Sequence, residues 1–339
     1  MRFSYLALLG FFISAILLPG CGSPRQESNS ALADTLTVDS LAIFTTAIRN
    51  QPGAIAPYLN RAGYFIRKDS LNLALNDVNS ALDIDENHAG TYAVLSDIYL
   101  YSGKVQRALD ALKKALELNP SDAQVDVKMA RVYLTMSDYK QTFESLRKAL
   151  KKNPENVEAF FVSGLANEEM GDTAKAIESY QLAVARNPRH YNALKELGIL
   201  FAIKKDKLAI DYLRNAATVR PDAVEPLYVL GMFYQENNEP DKALNVYNEI
   251  LLIKPDFKLA HYNKGYVFMV YKEDYTEAIT AFSNAIELDS DYADAYYNRG
   301  YAYELSGNRE KAQSDYRKVL TLNVNDEKAV KGLNRLDEN

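Results

Sequence analysis

The chain of 339 residues, 47% hydrophobic and 25% charged, has ordinary globular composition and enough length to bury a large apolar surface. Its formal net charge of −6 counts against a nucleic-acid partner, which calls for a basic face. A single cysteine excludes an intramolecular disulfide.

Residues 1–20 read as a secretory signal: Arg2, a mostly apolar run from Phe3 to Leu18, then Pro19 and Gly20 ahead of Cys21. The run is short for a membrane-spanning helix, which needs roughly 20 apolar residues. Leu18-Pro19-Gly20-Cys21 resembles the lipobox of bacterial lipoproteins, although Pro19 departs from the small or β-branched residue usual there. That resemblance implies that Cys21 is the lipidated N-terminus of the mature chain. Its acyl chains would hold it to a membrane, each buried CH₂ contributing about 0.8 kcal/mol. A plain signal anchor is the alternative. Gly22 follows the cysteine, so the Asp of the inner-membrane retention signal is absent. The expected location is the bacterial cell envelope, lipid-anchored at the outer membrane and facing the periplasm.

Residues 21–38 are expected to form a flexible tether, polar and without periodicity as far as Ser30. From residue 39 the pattern becomes helical, with Leu41, Phe44 and Ile48 on one face. Residues 39–54 read as a half repeat that caps the N-terminal end of a longer array.

Gly164, Gly198, Gly231, Gly265 and Gly300 then recur at intervals of 34, 33, 34 and 35 residues. Each sits in the same setting, with a large residue four positions earlier and an Ala eleven to thirteen later. Such a period marks a solenoid of helical hairpins. Eight units fit it: 55–88, 89–122, 123–156, 157–190, 191–223, 224–257, 258–292 and 293–326. Counting each from its first residue, position 8 is Gly or a small residue, and positions 20 and 27 are mostly Ala. Position 11 is aromatic in seven of the eight units, and aromatics recur at positions 4 and 24. Helices approach closely only over small side chains, and the rings fill the space around them, about 150–250 Å² each. Gly171-Asp172 and Gly307-Asn308 read as turns between the two helices of a unit. The fifth unit is one residue short between Phe201 and Ala209, and the seventh one residue long near Lys272-Glu273-Asp274. Both changes are expected at the hairpin turn. Residues 327–339 read as a closing helix, apolar on one side and charged elsewhere.

Two stretches show the pattern best, AYYNRGYAYELSGNREKAQSDYRKVL at 295–320 and AFFVSGLANEEMGDTAKAIESYQLAVARNP at 159–188. They resemble the tetratricopeptide repeat, and the resemblance covers residues 55–326. It implies an all-α fold, a right-handed superhelical solenoid of eight helix-turn-helix units plus capping helices. It further implies a concave groove lined by positions 2, 5, 9, 12 and 13 of the first helices, docking a protein or peptide.

No enzyme motif competes with this reading. His88, His190 and His261 lie in different units without metal-ligand spacing, and neither a metal site nor a cofactor is expected. The adjacent acids Glu168 and Glu169 read as a solvated helix face. Positions 5 and 9 of the last three units are Tyr228 and Met232, Tyr262 and Tyr266, Tyr297 and Tyr301, an expected aromatic docking surface. Units two and three carry the mixed set Ala93, Asp97, Val127 and Arg131 there. The carboxylate clamp of chaperone-type relatives needs Lys and Asn at positions 5 and 9, but Ile199 follows Lys195. Arg147, Lys148, Lys151 and Lys152 end the third unit. They read first as a helix end complementing its dipole, and second as a surface for anionic lipid or a partner. The expected function is a membrane-anchored interaction scaffold of the cell envelope. The alternative is a glycan-binding surface lipoprotein, which the absence of Trp disfavours.

Overall fold

The computed structural model describes residues 31–338, with side chains from residue 40 onward. Cys21, the expected signal and the start of the expected tether lie outside the described residues. Among the described residues there are eighteen α-helices and no strand. They form two compact units that divide between Asn187 and Pro188.

The N-terminal unit opens with α1 (Ala31–Asn50). This helix starts within the segment expected to be a tether, earlier than the apolar pattern at Leu41 indicated. Four hairpins come next: α2 (Ile55–Arg67) with α3 (Leu71–Ile84), α4 (Ala89–Tyr101) with α5 (Val105–Leu118), α6 (Ala123–Thr135) with α7 (Tyr139–Lys152), and α8 (Val157–Glu169) with α9 (Thr173–Arg186). The C-terminal unit holds α10 (Tyr191–Ile203) with α11 (Leu208–Val219), α12 (Glu225–Glu236) with α13 (Pro240–Ile253), α14 (Lys258–Val267) with α15 (Tyr275–Leu288), and α16 (Ala293–Leu305) with α17 (Arg309–Leu322). It closes on α18 (Glu327–Glu338).

Each hairpin is made by a small residue facing a large one. A Cβ added at Gly164 would fall 2.2 Å from the Tyr180 ring, and one at Gly231 2.5 Å from Tyr247. At Gly265 it would meet Phe282 at 2.7 Å, and at Gly198 the Leu213 side chain at 2.5 Å. Tyr180, Tyr247, Phe282 and Tyr316 are fully buried, as are the alanines at position 20 from Ala74 to Ala312. Thr142 takes that position in α7 and satisfies its hydroxyl by donating to the Asp138 carbonyl at 2.8 Å.

Hydroxyl-bearing rings at position 24 find an acceptor at position 12 of their own unit. Tyr180 donates to Glu168 at 2.7 Å, Tyr247 to Gln235 at 3.1 Å, and Tyr316 to Glu304 at 2.5 Å. Glu168 is therefore a buried phenol's partner, and the solvated face expected for it is not what the structure shows. Where Phe282 takes the place of these phenols, position 12 is Met269, which offers an apolar neighbour.

The turn chemistry extends to every unit. Position 15, or the residue after it in the longer seventh unit, adopts a left-handed conformation in each: Asp69, Gly103, Ser137, Gly171, Lys205, Asn238, Glu273 and Gly307. Only three of these are glycine. In the fifth unit the missing residue falls beyond that point, between Lys205 and Ala209. In the seventh unit the expected site of the extra residue is corrected. It lies before the turn, absorbed as a π-helical segment, Phe268–Lys272, that prolongs α14. A π turn takes up one residue without breaking the helix.

The histidines are structural. His88 and His190 cap α4 and α10, their Nδ1 atoms accepting from the Thr91 and Ala193 amides at 3.2 and 3.1 Å. The His261 ring bonds the Pro255 carbonyl at 3.0 Å.

Candidate docking face of the C-terminal unit

Positions 5 and 9 of α12, α14 and α16 are four residues apart, so each pair shares one helix face. The structure separates the six expected docking residues into two groups. Met232 and Tyr262 are buried, 6% and 8% exposed, while Tyr228, Tyr266, Tyr297 and Tyr301 are half-buried.

The burial of Tyr262 has a definite cause. Its ring lies 5.6 Å from Phe282 and 5.1 Å from Tyr292, and its hydroxyl accepts from the Asn298 amide at 2.8 Å. Tyr228 repeats the arrangement one unit earlier, accepting from Asn263 at 3.3 Å with its ring edge-on to Phe257 at 5.6 Å. A tyrosine at position 5 is thus tied to an asparagine at position 6 of the next unit. Met232 is buried, and Tyr262 is tied to the next unit through Asn298.

Apart from Tyr228, whose hydroxyl is engaged by Asn263, the half-buried rings are Tyr266, Tyr297 and Tyr301. Tyr297 and Tyr301 lie nearly parallel, 9° apart in plane with centroids at 6.5 Å. Tyr266 meets Tyr271 edge-on at 6.4 Å, and the Tyr271 hydroxyl donates to the Gln235 carbonyl at 3.0 Å. These rings are held rather than loose, which lowers the entropy lost on binding.

Cations border the rings from α18. The Arg335 guanidinium sits 5.6 Å from the Tyr301 centroid, and the Lys328 ammonium 5.8 Å from Tyr297. Arg335 also makes a two-pronged bond to Glu304 at 2.8 and 2.9 Å. Burial pushes the Glu304 carboxyl up, but the hydrogen bonds from Arg335 and Tyr316 outweigh it and hold it below its ordinary value. Bonding to Glu304 raises Arg335 further above its already high value, while burial raises the Tyr297 and Tyr316 phenols. At neutral pH this end of the unit therefore presents the neutral Tyr297 phenol beside the Arg335–Glu304 ion pair. Lys328, Lys331 and Arg335 fall at positions 2, 5 and 9 when α18 is counted like a first helix. That count extends the docking positions into a segment whose sequence reads only as a closing helix.

In the second and third repeats three of the residues at these positions are already engaged. Asp97 bonds Lys128 at 2.6 Å, Arg131 pairs with Glu158, and Val127 is buried. Lys195 in the C-terminal unit pairs with Glu196 at 3.0 Å beside buried Ile199. Among the described residues no cluster of His, Cys, Asp or Glu could hold a metal ion. No helix among them is long and apolar enough to cross a membrane.

Comparison with known families agrees with this packing. Residues 69–194 match the TPR domain of cytochrome c-type biogenesis protein H, and residues 168–223, 224–257, 270–307 and 293–326 match tetratricopeptide-repeat families. Among solved structures, the C-terminal part of a TPR repeat-containing protein from Cytophaga hutchinsonii is 21% identical with a TM-score of 0.61. The match covers 70% of this chain and 98% of that one. The Cut9-Hcn1 hetero-tetramer of the APC/C matches at 17% identity and TM-score 0.52, over 86% of this chain and 57% of that one. Pseudomonas aeruginosa pilF matches at 17% identity and TM-score 0.51, over 63% and 97%. No curated protein matches the chain. At these identities the structural likeness speaks for fold alone. Together with the family matches and the Gly-on-ring packing, it makes this chain an array of tetratricopeptide repeats, a protein-interaction scaffold.

Proposed function

We propose that the protein is a lipid-anchored scaffold of the bacterial cell envelope, tethered through Cys21, that docks a partner protein or peptide on the Tyr266, Tyr297 and Tyr301 face of its C-terminal unit. The observation that carries the docking assignment is the pair of parallel rings at Tyr297 and Tyr301, bordered by Lys328 and Arg335. Tyrosine and arginine are the residues that concentrate binding energy at interfaces. Acidic or apolar side chains of a partner would meet complementary groups there. The anchor rests on Leu18-Pro19-Gly20-Cys21 at the end of an apolar run.

Two experiments test the two halves separately. Crosslinking on envelope membranes, with partners identified by mass spectrometry, is expected to yield a protein whose recovery falls at least ~10-fold in Tyr266→Ala/Tyr301→Ala. Equal recovery from the variant would refute this face. Cys21→Ser is expected to release the protein into the soluble fraction, and unchanged membrane association would sink the anchor.

A further inference from the structure

A cleft of a different kind lies in the N-terminal unit. It is open-sided, with about 570 Å³ of volume between α7, α8 and α9. Its apolar walls are Phe143, Leu146 and Leu150 of α7, Phe160 of α8 with Met170 just past its end, and Leu182 of α9. Positions 5 and 9 of α8 are Phe161 and Leu165, and neither lines the cleft. Phe160, next to Phe161, points about a quarter turn away from it around the helix. The cleft therefore lies off the helix face that carries the docking positions. Met170 at its mouth is 53% exposed.

The repeat itself explains why the cleft is open. In the first unit, positions 7 and 23 are Arg61 and Asp77, joined by two bonds of 2.8 and 2.6 Å, with Arg61 reaching Thr45 sixteen residues earlier. In the last unit, Arg299 and Asp315 form the same pair at 2.8 Å, and Arg299 reaches Ser283, again sixteen residues earlier. In the fourth unit these positions are Ser163 and Ser179, 3.2 Å apart. Arg147 stands sixteen residues before Ser163 and lines the cleft. Two serines leave empty the volume that an arginine and an aspartate fill elsewhere. The floor is satisfied within itself, since the Asn167 amide donates to the Ser163 carbonyl at 2.8 Å.

Charge selects the occupant. The chain is acidic overall, yet α7 carries Lys140, Arg147, Lys148, Lys151 and Lys152 against Glu144 alone. Lys152 pairs with Asp126 at 2.5 Å, but Lys140, Arg147, Lys148 and Lys151 have no ion-pair partner among the described residues. On the far wall Lys175 pairs with Asp172, and Glu178 is the one acid lining the cleft. From Phe143 to Leu150 the α7 wall runs two turns, about 10 Å. That is the reach of apolar side chains at i, i+4 and i+7 of an amphipathic helix.

We propose that this cleft docks an acidic amphipathic helix of a partner protein, its apolar stripe seated between α7 and α9 and its carboxylates on Arg147, Lys148 and Lys151. The probe is a fluorescein-labelled helical peptide of about fifteen residues with Leu at i, i+4 and i+7 and Glu on its remaining face. Its binding to the full chain is followed by anisotropy. We expect saturable binding that weakens at least ~10-fold in Arg147→Glu/Lys151→Glu. Ser163→Leu/Ser179→Leu, which fills the cleft, should weaken it as much, and Tyr266→Ala/Tyr301→Ala should leave it unchanged. If the serine variant lowers the thermal midpoint, the two exposed charge reversals decide the matter. Absence of binding, equal binding of the same peptide with Lys for Glu, or affinity indifferent to the charge reversals overturns the proposal. So does sedimentation with phosphatidylglycerol vesicles that depends on Arg147 and Lys151 while the peptide fails to bind, which would assign the patch to a membrane.

Discussion

Replacing the position-8 glycines one at a time should give a graded loss of stability set by the distance each new Cβ must clear. At Gly164 the added carbon would sit 2.2, 2.4 and 2.8 Å from three atoms of the Tyr180 ring. Carbon atoms settle at about 3.5 Å or more, so the ring would have to retreat by most of a bond length. Tyr180 has nowhere to go. It is fully buried, and its hydroxyl is held by Glu168 at 2.7 Å. Overpacking of a filled core costs about 1–3 kcal/mol, and this site belongs at the upper end. Against it stands the helix gain of Ala over Gly, about 1 kcal/mol. Gly164→Ala should therefore be destabilised by roughly 2 kcal/mol.

At Gly300 the nearest atoms, in Asp315 and Tyr316, are 3.1 Å away, so a shift of a few tenths of an ångström suffices. The two effects nearly cancel there, and Gly300→Ala should lie within about 0.5 kcal/mol of the parent. Gly63, in α2, has only the flexible Arg67 guanidinium at 3.7 Å, so Gly63→Ala should gain about 0.5–1 kcal/mol. Urea titrations followed by helical circular dichroism would measure all three. If Gly164→Ala proved no less stable than Gly300→Ala, close approach would not be the reason for glycine at this position.

The left-handed turn positions should respond in the opposite sense: Ser137→Gly and Lys205→Gly remove a side chain from a conformation that disfavours it. Each should raise stability by about 1 kcal/mol, read as a higher thermal midpoint. Gln235→Met strands the buried Tyr247 hydroxyl and should cost about 1–3 kcal/mol, whereas Gln235→Met with Tyr247→Phe, the combination of the seventh unit, should recover most of it in the same urea assay. The Glu304 carboxyl, held below its ordinary 4.5 in the folded chain, contributes stability that is fully present above that value and is lost as pH falls through the lower folded value. The thermal-midpoint advantage of the parent over Glu304→Gln should thus be constant near neutrality and shrink as the solution is acidified below about 4.5; an advantage that persists in strong acid would refute the linkage.

The hairpin array was legible in the sequence because its determinants lie inside one unit. Gly164 and Tyr180, or Gly265 and Phe282, sit at spacings that recur. What escaped depends on neighbours a whole repeat away or on one hydrogen bond. Tyr262 looks like a surface tyrosine until Asn298, 36 residues later, is seen holding its hydroxyl. Glu168 beside Glu169 looks solvated until the ring twelve residues on reaches it. The extra residue of the seventh unit was visible, but only the backbone shows it entering α14 as a π turn. The cations of α18 were within reach, because Lys328, Lys331 and Arg335 keep the 2, 5, 9 spacing of a first helix.

These particulars share one logic, which separates the scaffold from its recognition surfaces. Packing positions vary in matched pairs: phenol with carboxylate or amide, phenyl with thioether, arginine with aspartate. A change at one member is answered at the other, because a buried donor left without an acceptor costs more than the bond contributes when made. Surface positions have no such partner to answer to. Ser163 and Ser179 stand where the first and last units keep a bonded ion pair, and they form a pair of their own that satisfies the hydroxyls while leaving the volume open. Tyr301 at position 9 lies against Arg335 of α18 and stays half-buried. Specificity on an array of this kind is therefore to be sought where a matched pair is too small to fill its place.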